Sequence, residues 1–201
     1  MTHHLKATLS ALYLALGLTA GAHASVVNID AAITGCSNAA YCDGSPHWAP
    51  GTHIGDLINP AQLTLDAGTY TITNGSLLPS ADPYFSAWRF NGGANWVWAF
   101  MVIDDATKNL LVQGCCGDKV YDTQAGAAGQ SFAQTYSTTL VLTSKTTLDF
   151  IIEDYYPYDN AGGISLNIQS ATAPVPEPGS VALMLGGLVA LGAVMRRRRS
   201  A

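Results

Sequence analysis

One stretch near the end of the sequence combines side chains that can bind a metal ion with side chains that can stack on a ligand. It spans residues 153–163 and contains Asp154, Asp159 and Asn160. These three could supply oxygen ligands, and Ca²⁺ takes about six to eight oxygens from carboxylates, amides and backbone carbonyls. The aromatic residues between them are Tyr155, Tyr156 and Tyr158. The stretch therefore predicts calcium binding with stacking on sugar rings; the alternative is an Asx- and Gly-rich hairpin loop whose tyrosines pack on a sheet.

This arrangement is similar to the calcium loop of small galactose-binding bacterial lectins, which have a jelly-roll sandwich. In those lectins an Asp, a short loop with an aromatic residue, and an Asn-Asn pair before small residues hold calcium, and the calcium holds the sugar. Here the loop is shorter, and Asp159 stands where the lectins have their first Asn. The resemblance implies that Asp154, Asp159 and Asn160 form a calcium site.

A second cluster contains His47, His53 and Asp56. Two imidazoles and a carboxylate are ligands of the kind that zinc binds. Their spacing matches no zinc motif, and the neighbouring prolines and glycines favour a surface loop.

Three tryptophans, Trp88, Trp96 and Trp98, form a third group of candidates. We expect Trp96 and Trp98 to share one face of a strand, because they are two residues apart. They could form a platform for a sugar, but packing in the core is favoured.

The sequence contains no motif for catalysis. G-x-S-x-G, H-E-x-x-H and a phosphate-binding loop are all missing from it. The carboxylate pairs Asp104-Asp105 and Glu153-Asp154 would point to opposite faces of a strand, so neither forms an acid/base dyad alone. We therefore predict no catalytic residues and no enzymatic activity.

The elements that must position these residues are strands. Residues 25–171 show short apolar or alternating runs separated by Gly, Asn and Asp, which predicts an all-β domain of the β-sandwich or jelly-roll kind. Residues 69–73 alternate and end at an Asn-Gly turn. Residues 96–103 form a continuous apolar run, which is typical of a strand buried on both faces or of a sandwich core. Further strands are predicted at 109–112, 138–143, 147–152 and 163–168, and no helical period is evident.

The N-terminal 24 residues have the order of a secretory signal. Lys6 precedes an uncharged, leucine-rich stretch at 7–22, and an A-x-A sequence follows at 22–24. The apolar run is short for a bilayer span. We expect signal peptidase to release a mature chain beginning at Ser25; the alternative is an uncleaved anchor.

The C-terminal region has three parts in a fixed order. A Pro-rich linker at 172–180 contains Pro176, Glu177 and Pro178, and an apolar stretch follows at 181–195. Between Glu177 and the first arginine lie 18 uncharged residues. As a helix they would be about 27 Å long, close to the thickness of the hydrocarbon core. The stretch at 181–195 is therefore a predicted transmembrane helix.

A basic cluster follows the apolar stretch and consists of Arg196, Arg197, Arg198 and Arg199. Arginines beside a membrane span stay on the cytoplasmic side. We therefore expect residues 196–201 in the cytoplasm and the β domain of this precursor outside the inner membrane.

The tripeptide, the apolar stretch and the arginines together resemble the PEP-CTERM sorting signal of Gram-negative bacteria. The resemblance implies that an exosortase, a membrane cysteine protease, recognises Pro176, Glu177 and Pro178 and removes the helix. It also implies that the protein reaches the cell surface or an exopolysaccharide matrix. The alternative is a plain tail anchor.

Export determines whether the cysteines can form disulfides. The four cysteines are Cys36, Cys42, Cys115 and Cys116. An even number in an oxidising compartment predicts two disulfides, with three possible pairings. Cys36–Cys42 would close a local loop, and Cys115–Cys116 would form a strained ring. We favour two long-range bridges to the turn at 112–118; a zinc site is disfavoured because adjacent cysteines lack the usual spacing.

The charge distribution limits the partners. The net charge is −5, and five of the nine basic residues lie in the two terminal segments, so the middle domain is more acidic than the average suggests. Such a surface repels phosphate backbones, which argues against nucleic acid. We therefore predict an exported, non-catalytic module that binds extracellular polysaccharide through calcium. The alternatives are a structural or adhesive matrix protein and, less favoured, a secreted hydrolase.

Overall fold

The computed structural model describes residues 24–42, 48–114, 119–171, 187–188 and 196. His23–Ala171 forms one compact unit, and residues 1–22 and 172–201 belong to another. The predicted signal peptide, linker and sorting tripeptide lie outside the described residues, as does nearly all of the predicted span at 181–195. Within the described parts, no helix has both the length and the apolar character needed to cross a membrane.

The unit is built mostly from strands, which confirms the all-β prediction. The strands are β1 (Ala24–Asp30), β2 (Gly35–Cys36), β3 (Leu57–Ile58), β4 (Ala61–Leu65), β5 (Gly68–Asn74), β6 (Trp88–Arg89), β7 (Trp96–Val97), β8 (Phe100–Asp104), β9 (Leu110–Gly114), β10 (Ser137–Leu142), β11 (Thr146–Ile152) and β12 (Ala161–Ser170). The helices are short: α1 (Ala39–Cys42), α2 (Gln124–Ala128) and α3 (Ser131–Thr135), with 3₁₀ turns η1 (Gly75–Leu77), η2 (Pro83–Ser86) and η3 (Pro157–Asp159). None is long enough to show a helical period in the sequence.

The described strands form two larger antiparallel sheets and one short pair. The six-stranded sheet has the order β10-β5-β12-β6-β7, with β1 also paired to β12. The four-stranded sheet has the order β4-β11-β8-β9, and β2 pairs with β3. This arrangement does not confirm a jelly roll, which is a finer description than all-β.

The main core contains buried side chains from both sheets. Ile72 and Leu166 from the six-stranded sheet belong to the same cluster as Phe100, Val102 and Phe150 from the four-stranded sheet. Full burial of an apolar side chain of this size contributes about 1.5–3 kcal/mol, so this cluster is the main source of stability.

The opposite face of the four-stranded sheet is also covered. A second apolar cluster there combines Met101, Ile103, Leu110 and Ile151 with residues of the segment at 35–58, namely Cys36, Cys42 and Ile54. We call residues 35–42 and 48–58 the covering segment. Its presence explains why β8 is apolar at successive positions, since both faces of that strand are buried.

The prediction of a single strand at 96–103 is wrong. β7 belongs to the six-stranded sheet and β8 to the four-stranded sheet, and the chain passes between them at Trp98 and Ala99. Trp98 is fully buried and packs against Phe100 and Tyr136, with ring centroids 5.3 and 5.1 Å away. Trp96 and Trp98 therefore do not share a strand face, and a sugar platform built from both is excluded.

A buried carboxylate lies on the covered face of the four-stranded sheet. Asp149 is fully buried, and its Oδ2 accepts a hydrogen bond from Lys108 Nζ at 2.9 Å. Its Oδ1 accepts from Gln62 Nε2 at 2.8 Å, and Lys108 Nζ also donates to Asp105 Oδ1 at 2.7 Å. Lys108 has a left-handed φ of 56° in the turn between β8 and β9. The hydrogen bonds to Asp105 and Asp149 raise the pKa of the Lys108 ammonium.

Candidate functional site

The structure brings Asp154, Asp159 and Asn160 together in the loop between β11 and β12. We call residues 153–160 the aromatic loop. Tyr156 N donates to Asp154 Oδ1 at 2.7 Å, and Asn160 N donates to Pro157 O at 3.1 Å across η3. The first bond forms an Asx turn and the second closes the 3₁₀ turn η3, so the loop has a defined conformation.

Asp154 and Asn160 are in direct contact. Asn160 Nδ2 donates to Asp154 Oδ2 at 3.2 Å, and Asn160 is 8% exposed. Asn160 Oδ1 is buried and accepts no hydrogen bond from the described part of the protein. Burial raises the pKa of Asp154, and the negative charge of Asp159 raises it further. Hydrogen bonds from the Tyr156 N–H and the Asn160 amide lower it in part. A cation beside Asp154 would relieve the cost of keeping this carboxylate ionised.

These residues fit a calcium site in part. The oxygen and nitrogen of an Asn amide exchange places when the group rotates, so Asn160 could turn its unsatisfied oxygen towards Asp154. Across the described ranges, no group of three or more His, Cys, Asp or Glu could hold a metal ion. A calcium ion here would therefore need amide and backbone carbonyl oxygens besides the two carboxylates.

The covering segment contacts the base of the aromatic loop. Cys36 N donates to Asp154 O at 3.0 Å. A Cβ on Gly35 would lie 2.5 Å from the same oxygen and 3.5 Å from Pro157 Cδ. A residue with a side chain at position 35 would therefore displace the loop backbone.

Cys36 is bonded to Cys42, which corrects the preference for two long-range bridges. Asn38 explains the local pairing, because its Oδ1 accepts from Ala40 N at 3.0 Å and its carbonyl accepts from Cys42 N at 3.2 Å. This turn returns the chain so that the Cα atoms of the two cysteines are 6.2 Å apart. Cys115 and Cys116 lie outside the described residues.

The three tyrosines of the aromatic loop are directed to solvent. Tyr155, Tyr156 and Tyr158 are 49%, 55% and 69% exposed. The rings of Tyr156 and Tyr158 meet edge to face, with centroids 5.5 Å apart, on either side of buried Pro157. The hairpin alternative requires these tyrosines to pack on the sheet. The loop instead presents their rings to solvent.

The hairpin of β6 and β7 lies beside this loop, and its Arg89, unlike Trp88 and Trp96, was not singled out in the sequence. Arg89 is paired with Ala161, the first residue of β12, and Gly92 N donates to Asp159 O at 3.1 Å. The Arg89 Cζ lies 6.0 Å from the centroid of the Trp96 ring. An available signal was the Asn-Gly-Gly turn between Arg89 and Trp96, which predicts their pairing across a hairpin.

The remaining candidates are structural. His53 Nδ1 lies 3.0 Å from Thr107 O, the Asp56 backbone carbonyl accepts from Ser37 N, and His47 lies outside the described residues. Trp88 is buried and its Nε1 donates to Ala99 O at 2.9 Å. Of the three candidate tryptophans, Trp96 alone is partly exposed.

Comparison with known proteins concerns the C-terminal region. Residues 174–199 match the family model of the PEP-CTERM protein-sorting motif, which confirms the resemblance. The motif implies export and processing of a membrane-anchored precursor by an exosortase. No curated protein and no solved structure matches the chain significantly.

Proposed function

We propose that this exported exosortase substrate is a non-catalytic module that binds extracellular polysaccharide through the aromatic loop, at the cell surface or in the exopolysaccharide matrix. The observation that carries the proposal is the exposure of Tyr155, Tyr156 and Tyr158 on one short loop. Tyrosine offers a large, rigid contact surface with a polar tip, and ordering it on binding costs little entropy.

The surroundings of the loop support this role. The loop connects two buried strands, and its backbone is bonded to the covering segment at Asp154 and to the β6–β7 hairpin at Asp159. A ligand that binds a loop already held in place loses less affinity to ordering than one that binds a mobile loop.

Calcium is part of the proposal, with Asp154, Asp159 and Asn160 as its ligands. The raised pKa of Asp154 and the unsatisfied oxygen of Asn160 support it. Calcium, when bound, would supply positive charge beside two carboxylates and a coordination position for sugar hydroxyls. The protein's own part is to hold the tyrosines around that position.

Removal of the exposed rings tests glycan binding. We expect the double variant Tyr156→Ala/Tyr158→Ala to bind its polysaccharide about tenfold more weakly, because each aromatic contact contributes about 0.5–1.5 kcal/mol. The ligand is first identified by a glycan array, and affinities are then measured by calorimetry. Val141→Ala is the matched control, since Val141 is 64% exposed on β10. Unchanged affinity of the double variant would refute the proposal; self-assembly without sugar binding would favour the structural alternative.

Calcium should raise the melting temperature of the exported protein. At a concentration about 100 times the Kd the gain is about 2.7 kcal/mol. We expect Asp154→Asn to abolish the gain and Asp66→Asn, at an exposed carboxylate, to keep it. No melting shift at millimolar calcium would remove the ion from the proposal.

The calcium effect should also depend on pH. Because burial raises the pKa of Asp154, its proton competes with calcium at a higher pH than an exposed carboxyl would allow. The stabilisation by calcium is therefore complete above this raised pKa and declines as the pH falls through it. In EDTA, without calcium, Asp154 has the opposite effect on the stability of the fold. Because its pKa is higher in the folded protein than in the unfolded chain, its protonation stabilises the folded state as the pH falls from the folded pKa towards the unfolded pKa. Melting curves across this range, with and without calcium, measure both.

A further inference from the structure

We propose that Arg89 makes the site selective for polysaccharides that carry carboxylate groups, that is, for uronic acids. This inference rests on the proposed glycan binding by the aromatic loop and names the class of sugar. It concerns a residue outside that loop, on the hairpin of β6 and β7.

The hairpin places Arg89 beside the loop. Arg89 is the strand partner of both Ala161 and Trp96, so it stands between the start of β12 and the indole. Gly162 has a φ of 84°, and the position of its missing Cβ lies 3.1 Å from the Trp96 ring. The indole therefore packs against the backbone that leaves the aromatic loop, and the guanidinium lies over the indole.

Arg89 forms no ion pair with a carboxylate in the part of the chain that the structure describes. Lys108 is paired with Asp105 and Asp149, and Lys145 lies 3.9 Å from Asp66. Within the described ranges Arg89 forms no such ion pair, and its Nη1 donates to the neutral Gly93 carbonyl at 3.2 Å. A guanidinium has five N–H donors, and this bond uses one of them.

Carboxylate is the chemistry that this arrangement fits best. The planar guanidinium matches a carboxylate in a two-point hydrogen bond, and the Trp96 indole at 6.0 Å is within the range of a cation–π contact that favours the position of Arg89 before binding. The charged side chains of the loop itself are carboxylates, which repel an acidic sugar. Arg89 therefore decides whether such a sugar is accepted, and the acidic charge of the whole chain still disfavours nucleic acid.

The test compares one sugar with and without its charge. The probes are a glucuronate-containing hyaluronan tetrasaccharide and its methyl ester, measured by calorimetry with the full exported protein in millimolar calcium. We expect the wild type to prefer the acid by about tenfold and Arg89→Gln to lose the preference. Arg89→Lys should retain part of it, because the charge remains without the planar fork. Lys145→Gln removes one exposed positive charge elsewhere and should leave the preference intact.

The outcomes separate this inference from the function on which it rests. Equal binding of acid and ester by the wild type, or an unchanged preference in Arg89→Gln, overturns the role of Arg89 while glycan binding stands. Binding of neither probe, together with no hit on a glycan array, overturns both. Melting temperatures within about a degree of the wild type show that a lost preference is not a folding defect, since surface substitutions of this kind change stability little.

Discussion

Replacing Lys108 by Met should lower the free energy of unfolding by about 3 kcal/mol, the low end of the cost of breaking a buried ion pair. The variant leaves the fully buried Asp149 carboxylate with Gln62 but without its positive partner. We choose the low end because the Lys108 side chain is 32% exposed, so water can reach the vacated position. Met keeps the length of the aliphatic stem and the same left-handed backbone cost, so the lost charge dominates the effect.

Urea denaturation measures this change, and two further variants identify its cause. Asp105→Asn should change stability by less than about 1 kcal/mol, because that partner is exposed to solvent. Lys108→Met/Asp149→Asn should recover most of the loss, because the buried charge is removed together with its partner. If the double variant is no more stable than Lys108→Met, the loss comes from packing and the interpretation is wrong.

Replacing both Cys36 and Cys42 by Ala should cost about 2–4 kcal/mol and weaken glycan binding. The bond closes a loop with a sequence separation of 6, for which the entropy of the unfolded chain predicts the lower value. Loss of packing adds to it, because both cysteines are fully buried against Met101 and Ile151. Binding falls because the disulfide fixes the segment whose backbone N–H at position 36 donates to Asp154 O; Ala keeps this N–H but not the bond that holds it in place.

Hydrogen exchange of the loop amides distinguishes the two effects. We expect the Tyr156 and Asn160 amides to exchange faster in Cys36→Ala/Cys42→Ala, since the covering segment that bonds to the loop is no longer held by the disulfide. Cys115→Ala/Cys116→Ala is the control and should leave the Cys36–Cys42 bond intact on non-reducing peptide mapping. Unchanged exchange in the first variant would show that the covering segment stabilises the domain without positioning the loop.

Several predicted strands agree closely with strands of the structure. The predicted strands at 69–73, 138–143 and 147–152 fall on β5, β10 and β11, because β-branched residues and turn dipeptides mark their ends. The run at 96–103 gave no sign of where the chain changes sheets, since Trp98 is as buried between β7 and β8 as the strand residues are within β8. A continuous apolar run indicates that its residues are buried, but it does not indicate which strands they pair with.

The candidate site was predictable in its composition and not in its surroundings. Asp154, Asp159 and Asn160 are close in sequence, so one loop was bound to contain them. The contacts of that loop with Cys36 and Gly92 join distant segments, which no local pattern reveals. The disulfide depended on a turn capped by Asn38, and spacing alone left three pairings open.

The position of β12 has a mechanical consequence. The aromatic loop enters this ten-residue strand, and the chain leaves it at Ala171, whose N–H is bonded to Thr69 O at 2.8 Å. A polymer pulling on the loop while the C-terminal side is held would stretch the molecule along β12. The ladders to β1 and β5 run across that direction, so their bonds would be sheared together instead of being peeled apart one by one. Under such a load, resistance to unfolding would depend on β12, because this strand joins the aromatic loop to the C-terminal side of the domain.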